Sequence, residues 1–342
     1  MKIINFGIIG FGKIGPRHKQ KIDENDNCNL IAVCDIDKNK IKEIKNPNIE
    51  LYADYKQMLK NSDIDVVSVC TPNYLHAEMT VDALNAGKHV ICEKPMALAT
   101  QDCEKMIEAE LKNKKKLFIV KQNRYNPPVQ AVRNLLKENK LGKLFFIVLN
   151  CYWNRNKDYF ATSIWKGSRE KDGGALFTQF SHFIDLMYWF AGDVESVYAF
   201  AKNYDHPEIE IEDTGVVALK FTNGAIGTIN FTNCTYGKNM EGSITLFGEK
   251  GTVKIGGEYL NTLEYQKIEN FEIKNLPKGS GSNDYGTYKG SMSNHEKVYE
   301  NVVDVLNKNG DVKVDGIEGM QTVKIIENIY KSIQSGYEVY FN

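Results

Sequence analysis

The feature that most narrows what this chain can become is a glycine triplet near its start. Gly10-Phe11-Gly12-Lys13-Ile14-Gly15 has the spacing GxGxxG and follows directly on the apolar run IINFGIIG. By itself such a motif is only a cluster of glycines in a turn. Here a strand precedes it, a plausible helix follows, and the next apolar run, NLIAVCD, ends in Asp35, 20 residues after Gly15. In a strand–turn–helix unit of this kind Gly10 makes the tight turn. Gly12 lets the backbone approach a pyrophosphate, and Gly15 lets the helix pack close to the strand. The helix entered through Phe11, Lys13 and Ile14 then offers free N–H groups and its positive dipole end to the phosphates. Asp35, with Ile36 beside it, would accept hydrogen bonds from the adenosine ribose, and its charge would repel a 2′-phosphate. A dinucleotide site that takes NAD in preference to NADP is expected.

Residues 1 to about 122 alternate β-rich runs (IINFGIIG, NLIAVCD, DVVSVCTP, KHVICEK, KLFIVKQ) with amphipathic stretches such as HAEMTVDALNAG and TQDCEKMIEAELKNK. That alternation implies βαβ units and a parallel sheet covered on both faces. After about residue 140 strands dominate: LFFIVLNCYW, ESVYAFAK, TGVVALKF, AIGTINFT, GSITLFG and GTVKIGG, with TNG and GEKG as tight turns. A largely antiparallel sheet follows from that pattern. Two helical segments close the chain, SNHEKVYENVVDVLNKNG and IEGMQTVKIIENIYKSIQSG, each expected to stop at its glycine. The fold class is α/β: a nucleotide domain over 1–122 and an α+β domain over 123–342, with the last helix able to pack on either.

Composition removes several alternatives. The 342 residues suit about two domains. Basic residues number 43 and acidic residues 44, so the net charge of −1 gives no general case for binding nucleic acid or an anionic membrane. No run of about 18 apolar residues suggests a membrane-spanning helix. The apolar start has one lysine before it and no small-residue cleavage site, and it reads as mature structure. The seven cysteines contain no CxxC pair and no Cys/His spacing that suits zinc, so no metal is expected. Cys34, Cys70 and Cys92 end apolar strands and read as buried small hydrophobes in a reducing cytoplasm.

Three further clusters carry chemistry. Thr71-Pro72-Asn73 closes a strand, where α/β sheets bind ligands, and His76 follows on the next helix. Glu93-Lys94-Pro95 ends another parallel strand, and Pro95 keeps Lys94 out of the helical region. Gly173-Gly174 opens an apolar segment on which Gln179, His182 and Asp185 recur every three residues and share roughly one helical face. A polar stripe on such a helix needs partners.

In order, GxGxxG, TPN with its histidine, EKP, QNRYNP and GG…H.ID resemble the motif series of the glucose–fructose oxidoreductase/inositol dehydrogenase/rhizopine-catabolism (Gfo/Idh/MocA) family, over nearly the whole chain. These are NAD(P)-dependent oxidoreductases of sugars and cyclitols. The resemblance implies a Rossmann domain and a second domain with a large open-faced antiparallel sheet. It implies a catalytic pair, Lys94 and His182, around the hydroxyl being oxidised. His182 is the natural base and Lys94 the group that stabilises charge on the oxygen, or the reverse. It places cofactor contacts on Gly10–Ile14, Asp35, Ile36, Thr71, Pro72, Asn73, His76, Glu93, Lys94, Gln122 and Trp165. It places substrate contacts on Lys94, Asn123, Arg124, Tyr159, Arg169, Thr178, Gln179 and His182. Many members carry an aspartate where Thr178 stands, so an Asp–His–Lys relay is not carried over, and Gln179 or Asp185 is left to orient His182.

Within the family, QNRYNP with PVQAVR, and DYFATSIWKGSREKDGGALFTQFSH, resemble the UDP-N-acetylglucosaminuronate 3-dehydrogenases. That implies oxidation at C3 of a nucleotide-sugar acid in surface-polysaccharide synthesis. Arg124 and Arg169 would meet carboxylate or diphosphate, Tyr159 and Trp165 would stack on rings, and 2-oxoglutarate is a candidate electron acceptor. A free-sugar or inositol dehydrogenase, an NAD-dependent glycosidase and a non-catalytic NAD-binding regulator are the competing readings. Retention of both Lys94 and His182 counts against the last. Alternation in VVALKF and TINFT leaves an apolar sheet face, from which a homodimer or homotetramer is expected.

Overall fold

The structure, a computed structural model, describes residues 1–279, 281–284 and 289–341. The chain divides into two compact units, one of Met1–Val120 and His295–Val323, the other of Lys121–Asn294 and Lys324–Asn342.

The first unit holds a six-stranded sheet: β1 (Ile4–Ile9), β2 (Cys28–Cys34), β3 (Glu50–Tyr52), β4 (Val66–Val69), β5 (His89–Cys92) and β6 (Leu117–Ile119). Every pairing is parallel, in the order β3-β2-β1-β4-β5-β6. Phe6, Ile8, Val66, Val67, Val90 and Ile91 are fully buried, as strands covered on both faces require. Strand order reverses between β1 and β4, and the ends of these strands frame the switch point of the sheet. The glycine turn follows β1, TPN follows β4 and EKP follows β5. Three motifs far apart in sequence therefore reach one edge of one sheet.

The boundary expected at residue 122 needs correcting for the chain's end. The helix His295–Lys308 belongs to the first unit. Its Tyr299 is fully buried, with ring centroids 5.3 Å from Phe6 and 5.7 Å from His18. That helix also ends differently from expectation: Asn309, not Gly310, takes the left-handed conformation (φ 55°). Asparagine tolerates that region better than other side chains. The division between units passes within the last helix, Gly316–Ser335.

The second unit contains β7 (Leu144–Tyr152), β8 (Val194–Lys202), β9 (Thr214–Phe221), β10 (Ile226–Thr232), β11 (Glu241–Gly248), β12 (Gly251–Gly256), β13 (Thr262–Ile268), β14 (Ser282–Asp284), β15 (Lys289–Met292) and β16 (Val339–Tyr340). β14 and β15 pair with each other, and the remaining strands form one sheet ordered β13-β12-β11-β7-β10-β9-β8-β16. It is antiparallel throughout except where β7 meets β10. The helix Ser181–Ala191 packs on β7, and Trp153 lies 5.3 Å from Phe183, ring to ring. β9 alternates buried and exposed along its length, so one sheet face forms the core and the other faces outward.

Candidate active site

The glycine turn has the geometry its spacing implies. Gly10 has φ 91°, and a Cβ there would stand 2.7 Å from the Cys70 carbonyl oxygen. A Cβ on Gly15 would meet the Gly10 carbonyl oxygen at 2.3 Å, so the helix Gly15–Asp23 presses directly on the turn. A Cβ on Gly12 would meet nothing within 4 Å. Space over the turn is open where a pyrophosphate would lie, and no side chain caps the helix at Ile14. Asp35 ties this turn to β2. Its Oδ2 accepts the Phe11 N–H at 2.7 Å and its Oδ1 the Asp37 N–H at 2.9 Å, with Lys40 at 3.5 Å. Lys13 and Ile36 are exposed, and the Thr71 hydroxyl is buried without a hydrogen-bond partner among the described residues. Open backbone, an uncapped helix start and an orphaned hydroxyl at the strand ends fit a dinucleotide.

His76, expected at the cofactor, bridges two backbone carbonyls. It is buried, with Nδ1 2.6 Å from the Pro95 carbonyl oxygen and Nε2 2.9 Å from that of Thr71. Burial pushes its pKa down, against the pull of those two carbonyls. It fastens the TPN turn to the EKP turn, whose Lys94–Pro95 peptide is cis. Glu93 anchors the latter from below. Its Oε1 accepts from His18 Nε2 at 2.9 Å and lies 3.4 Å from His295 Nε2, and its Oε2 accepts the Lys94 backbone N–H at 3.0 Å. His18 Nδ1 meets the Tyr299 hydroxyl at 2.7 Å, and that hydroxyl meets Ser68 Oγ at 3.1 Å. Burial works to raise the Glu93 carboxyl, but hydrogen bonds and charge from His18 and His295 hold it well below the usual carboxylate range. The half-buried Lys94 thus projects from a turn held by an internal network. His18, His295 and Tyr299 were not foreseen. Only the histidine three residues past the GxGxxG was a signal.

In the second unit the segment after Gly174 departs from one continuous helix. It breaks into Ala175–Thr178 and Ser181–Ala191, with Phe180 near ψ 0° between them. Gln179 therefore leaves the face shared by His182 and Asp185. Its amide donates to the Tyr159 hydroxyl at 3.1 Å, and its Oε1 is buried without a partner among the described residues. Thr178 donates its hydroxyl to Asp172 Oδ1, and Asp172 Oδ2 accepts the Gly167 N–H at 2.7 Å. The threonine thus latches the WKG turn to the segment that carries His182. Tyr159 is buried, with Lys166 Nζ 3.7 Å and the Arg155 guanidinium 5.2 Å from its ring centre. Trp165 is half-buried on this turn. Arg169 is exposed and donates to the Glu210 carbonyl at 2.8 Å.

Arg124, expected at the substrate, is 3% exposed. Its Nε and one terminal nitrogen each lie 2.9 Å from an Asp185 oxygen, and it stacks over Trp189 at 5.0 Å. Two parallel hydrogen bonds of this kind fix the plane of the guanidinium. Lys121 Nζ shares the same carboxylate at 3.5 Å. Burial would raise Asp185, yet the charges of Arg124 and Lys121 bring its pKa down to about 2. Asp185 is thus taken up by cations. The polar contact to His182 Nε2 comes from the Gln122 amide at 3.1 Å. Asn123 is buried, and neither end of its amide has a partner among the described residues. Two groups of metal-type donors lie within 4.8 Å of one another, His18/Glu93/His295 and His206/Asp213/Cys234. In each the members already approach at hydrogen-bond distance, 2.9 Å for His18–Glu93 and 3.1 Å for His206–Asp213.

Comparison with known proteins agrees with this geometry. The oxidoreductase family with an NAD-binding Rossmann fold matches residues 4–121, and its C-terminal alpha/beta domain matches residues 133–341. Inositol 2-dehydrogenase of Salmonella typhimurium is 28% identical over 256 residues, 73% of each chain. Among solved structures, the WlbA dehydrogenase of Bordetella pertussis in complex with NADH and UDP-GlcNAcA is 33% identical, with TM-score 0.89, over 100% of this chain and 99% of that one. The Chromobacterium violaceum WlbA, with the same two ligands, is also 33% identical at TM-score 0.89, over 100% and 97%. With an NAD-binding Rossmann unit followed by the family's alpha/beta unit, this chain belongs to the Gfo/Idh/MocA family of oxidoreductases.

Proposed function

We propose that the protein is an NAD-dependent dehydrogenase that oxidises a sugar-ring hydroxyl, with C3 of UDP-N-acetylglucosaminuronic acid as substrate position, in surface-polysaccharide synthesis. The observation that carries this reading is end-to-end similarity, 33% identity at TM-score 0.89, to a dehydrogenase solved with NADH and that nucleotide sugar. NAD, when bound, supplies the hydride acceptor. The chain's own task is the hydroxyl proton. His182 suits it as a positioned base near neutrality, and Lys94 suits stabilisation of negative charge on the same oxygen. Gln179, Tyr159 and Asn123 offer buried polar groups for sugar substituents. A free-sugar or inositol dehydrogenase is the second reading, favoured by the 28% identity to inositol 2-dehydrogenase.

The test is to incubate the purified protein with NAD and UDP-N-acetylglucosaminuronic acid, with and without 2-oxoglutarate, and to follow products by mass spectrometry. Loss of two hydrogens from the nucleotide sugar, enhanced by the oxoacid, is expected. Oxidation of myo-inositol or a free sugar alone would transfer the assignment to the second reading.

Assembly is part of the same proposal. On the outward sheet face Phe200 pairs with Val216, and Lys220, Ile226, Phe146 and Phe247 form a row across four strands. Phe200, Val216 and Ile226 are at least half exposed. An apolar surface of this kind suits a second copy, giving a homodimer or homotetramer. A monomer by light scattering at micromolar concentration would remove the inference.

A further inference from the structure

A second cluster of reactive side chains lies outside the groups assigned to the reaction. His206 stands in the loop between β8 and β9, Asp213 directly before β9, and Cys234 two residues beyond β10. His206 and Asp213 are 2% and 0% exposed. Cys234 is half-buried, which leaves the thiol's side of the cluster to solvent. His206 Nδ1, a carboxylate oxygen of Asp213 and Cys234 Sγ all lie within 4.8 Å of one another. Their separations from His206 along the chain, 7 and 28 residues, match no local zinc signature.

Each member is held from behind. His206 Nε2 is 2.6 Å from the Arg155 carbonyl oxygen. A carbonyl only accepts, so Nε2 carries a proton and Nδ1 is the ring nitrogen turned to the cluster. Asp213 Oδ2 accepts the Tyr204 N–H at 3.0 Å and the Asp205 N–H at 2.8 Å. The Thr214 hydroxyl donates to Cys234 Sγ at 3.7 Å. A backbone carbonyl behind a histidine and donors behind anionic groups are the supports that metal ligands receive. Asp213 Oδ1 is buried and has no hydrogen-bond partner among the described residues, so one oxygen of a buried acid is left for a cation. His206 Nδ1 lies 3.1 Å from Asp213 Oδ2 and 3.9 Å from Cys234 Sγ. Bonds of about 2.0–2.3 Å at tetrahedral angles set ligand atoms about 3.4–3.6 Å apart, a range that those two separations bracket.

We propose that His206, Asp213 and Cys234 bind a zinc ion, with the fourth position left to solvent. An imidazole, a carboxylate and a thiolate together suit zinc. Cys234 gives its thiol proton to solvent as the Zn–S bond forms, and the two anionic ligands balance the charge of the ion. The ion ties the loop before β9 to the end of β10. Through the Arg155 carbonyl and the Phe160 ring, 5.1 Å from that of His206, it steadies the helix Lys157–Ala161 that carries Tyr159.

The test uses the full-length protein, stripped with a chelator and then dialysed against zinc chloride or cobalt chloride. Elemental analysis is expected to find about one zinc per chain. Cobalt is expected to give a near-ultraviolet thiolate charge-transfer band and the intense visible bands of a tetrahedral site. Cys234→Ala is expected to lose the ultraviolet band and at least about 100-fold in zinc affinity. Cys28→Ala, which removes the other cysteine that is not buried, should change neither. Zinc should raise the Tm of the wild type and leave that of Cys234→Ala where it is. A wild type that retains no zinc and shows no thiolate band would overturn the proposal, whether or not the variant folds. So would a band and an affinity that survive unchanged in Cys234→Ala.

Discussion

Two buried networks, each built on a histidine, serve the two halves of this protein, and they differ in how they are written. In the first unit, function lies in the backbone: a turn that only glycine can make, an open helix start and strand ends at a switch point. The Glu93–His18–Tyr299 network holds that backbone from within the unit. In the second unit the proposed function lies in side chains. His182 lies 3.1 Å from the Gln122 amide nitrogen, which donates to Ser291, and one turn from Asp185 with its two cations. Backbone function is coded by spacing within a few residues. Side-chain function is coded by topology, and here its members stand up to 169 residues apart.

Substitutions can break this contrast or sharpen it. The largest effect is expected at the proposed catalytic pair: His182→Asn and Lys94→Ala should each lower kcat about 10²- to 10⁴-fold, with NADH affinity kept, by steady-state kinetics and fluorescence titration. Near-wild-type turnover in the double variant would erase the distinction between the units.

Next comes Asp185→Ala. It strands Lys121 and Arg124 without their shared carboxylate and is expected to destabilise the protein by about 3–5 kcal/mol in denaturant unfolding. The pH dependence of the intact cluster has a definite sign. The folded Asp185 pKa is about 2 against 3.8 unperturbed, so its contribution is present above about pH 4 and is lost as pH falls through about 2.

Glu212 behaves in the opposite sense. Burial is the main cause that raises its pKa to about 7 from 4.5, although the Tyr330 hydroxyl donates to it at 2.6 Å and the Ala175 N–H at 3.0 Å. An acid raised in the folded state costs stability once it ionises. Stability should therefore fall as pH rises from about 4.5 to about 7, by up to about 3 kcal/mol, and Glu212→Gln should flatten that slope.

The smallest effect on folding is expected in the glycine turn. Gly12→Ala, whose Cβ meets nothing, should leave Tm unchanged and weaken NADH. Gly10→Ala, at φ 91° and 2.7 Å from a carbonyl, should lower stability by about 1 kcal/mol or more. Equal effects of the two on Tm would deny the backbone its separate binding role.

Sequence made the first unit legible almost completely. Five of the six strands, the glycine turn and the edge where three motifs meet follow from local pattern; β3, of three residues, does not. In the second unit the large sheet and its hairpins at TNG and GEKG were equally plain. What escaped was whatever depends on a partner elsewhere in the chain. Arg124 reads as a ligand until Asp185 is found against it. Gln179 fits a helical face until the helix breaks at Phe180. Gln122 belongs to a motif whose function gives no hint of Ser291. The helix from His295 carries no local sign that Tyr299 belongs under Phe6. Short strands such as β14 and β16, of three and two residues, lack the length for a periodic signal.

The most direct test of the account follows hydrogen from the sugar to the cofactor. UDP-N-acetylglucosaminuronic acid carrying deuterium at C3 is mixed with NAD and the wild-type protein, and with His182→Asn, and the reduced cofactor is weighed by mass spectrometry. Deuterium should enter the cofactor with the wild type and be nearly absent with the variant, although both bind NADH. Reduction of the cofactor without deuterium, or equal transfer by the variant, would contradict the assignment of this site.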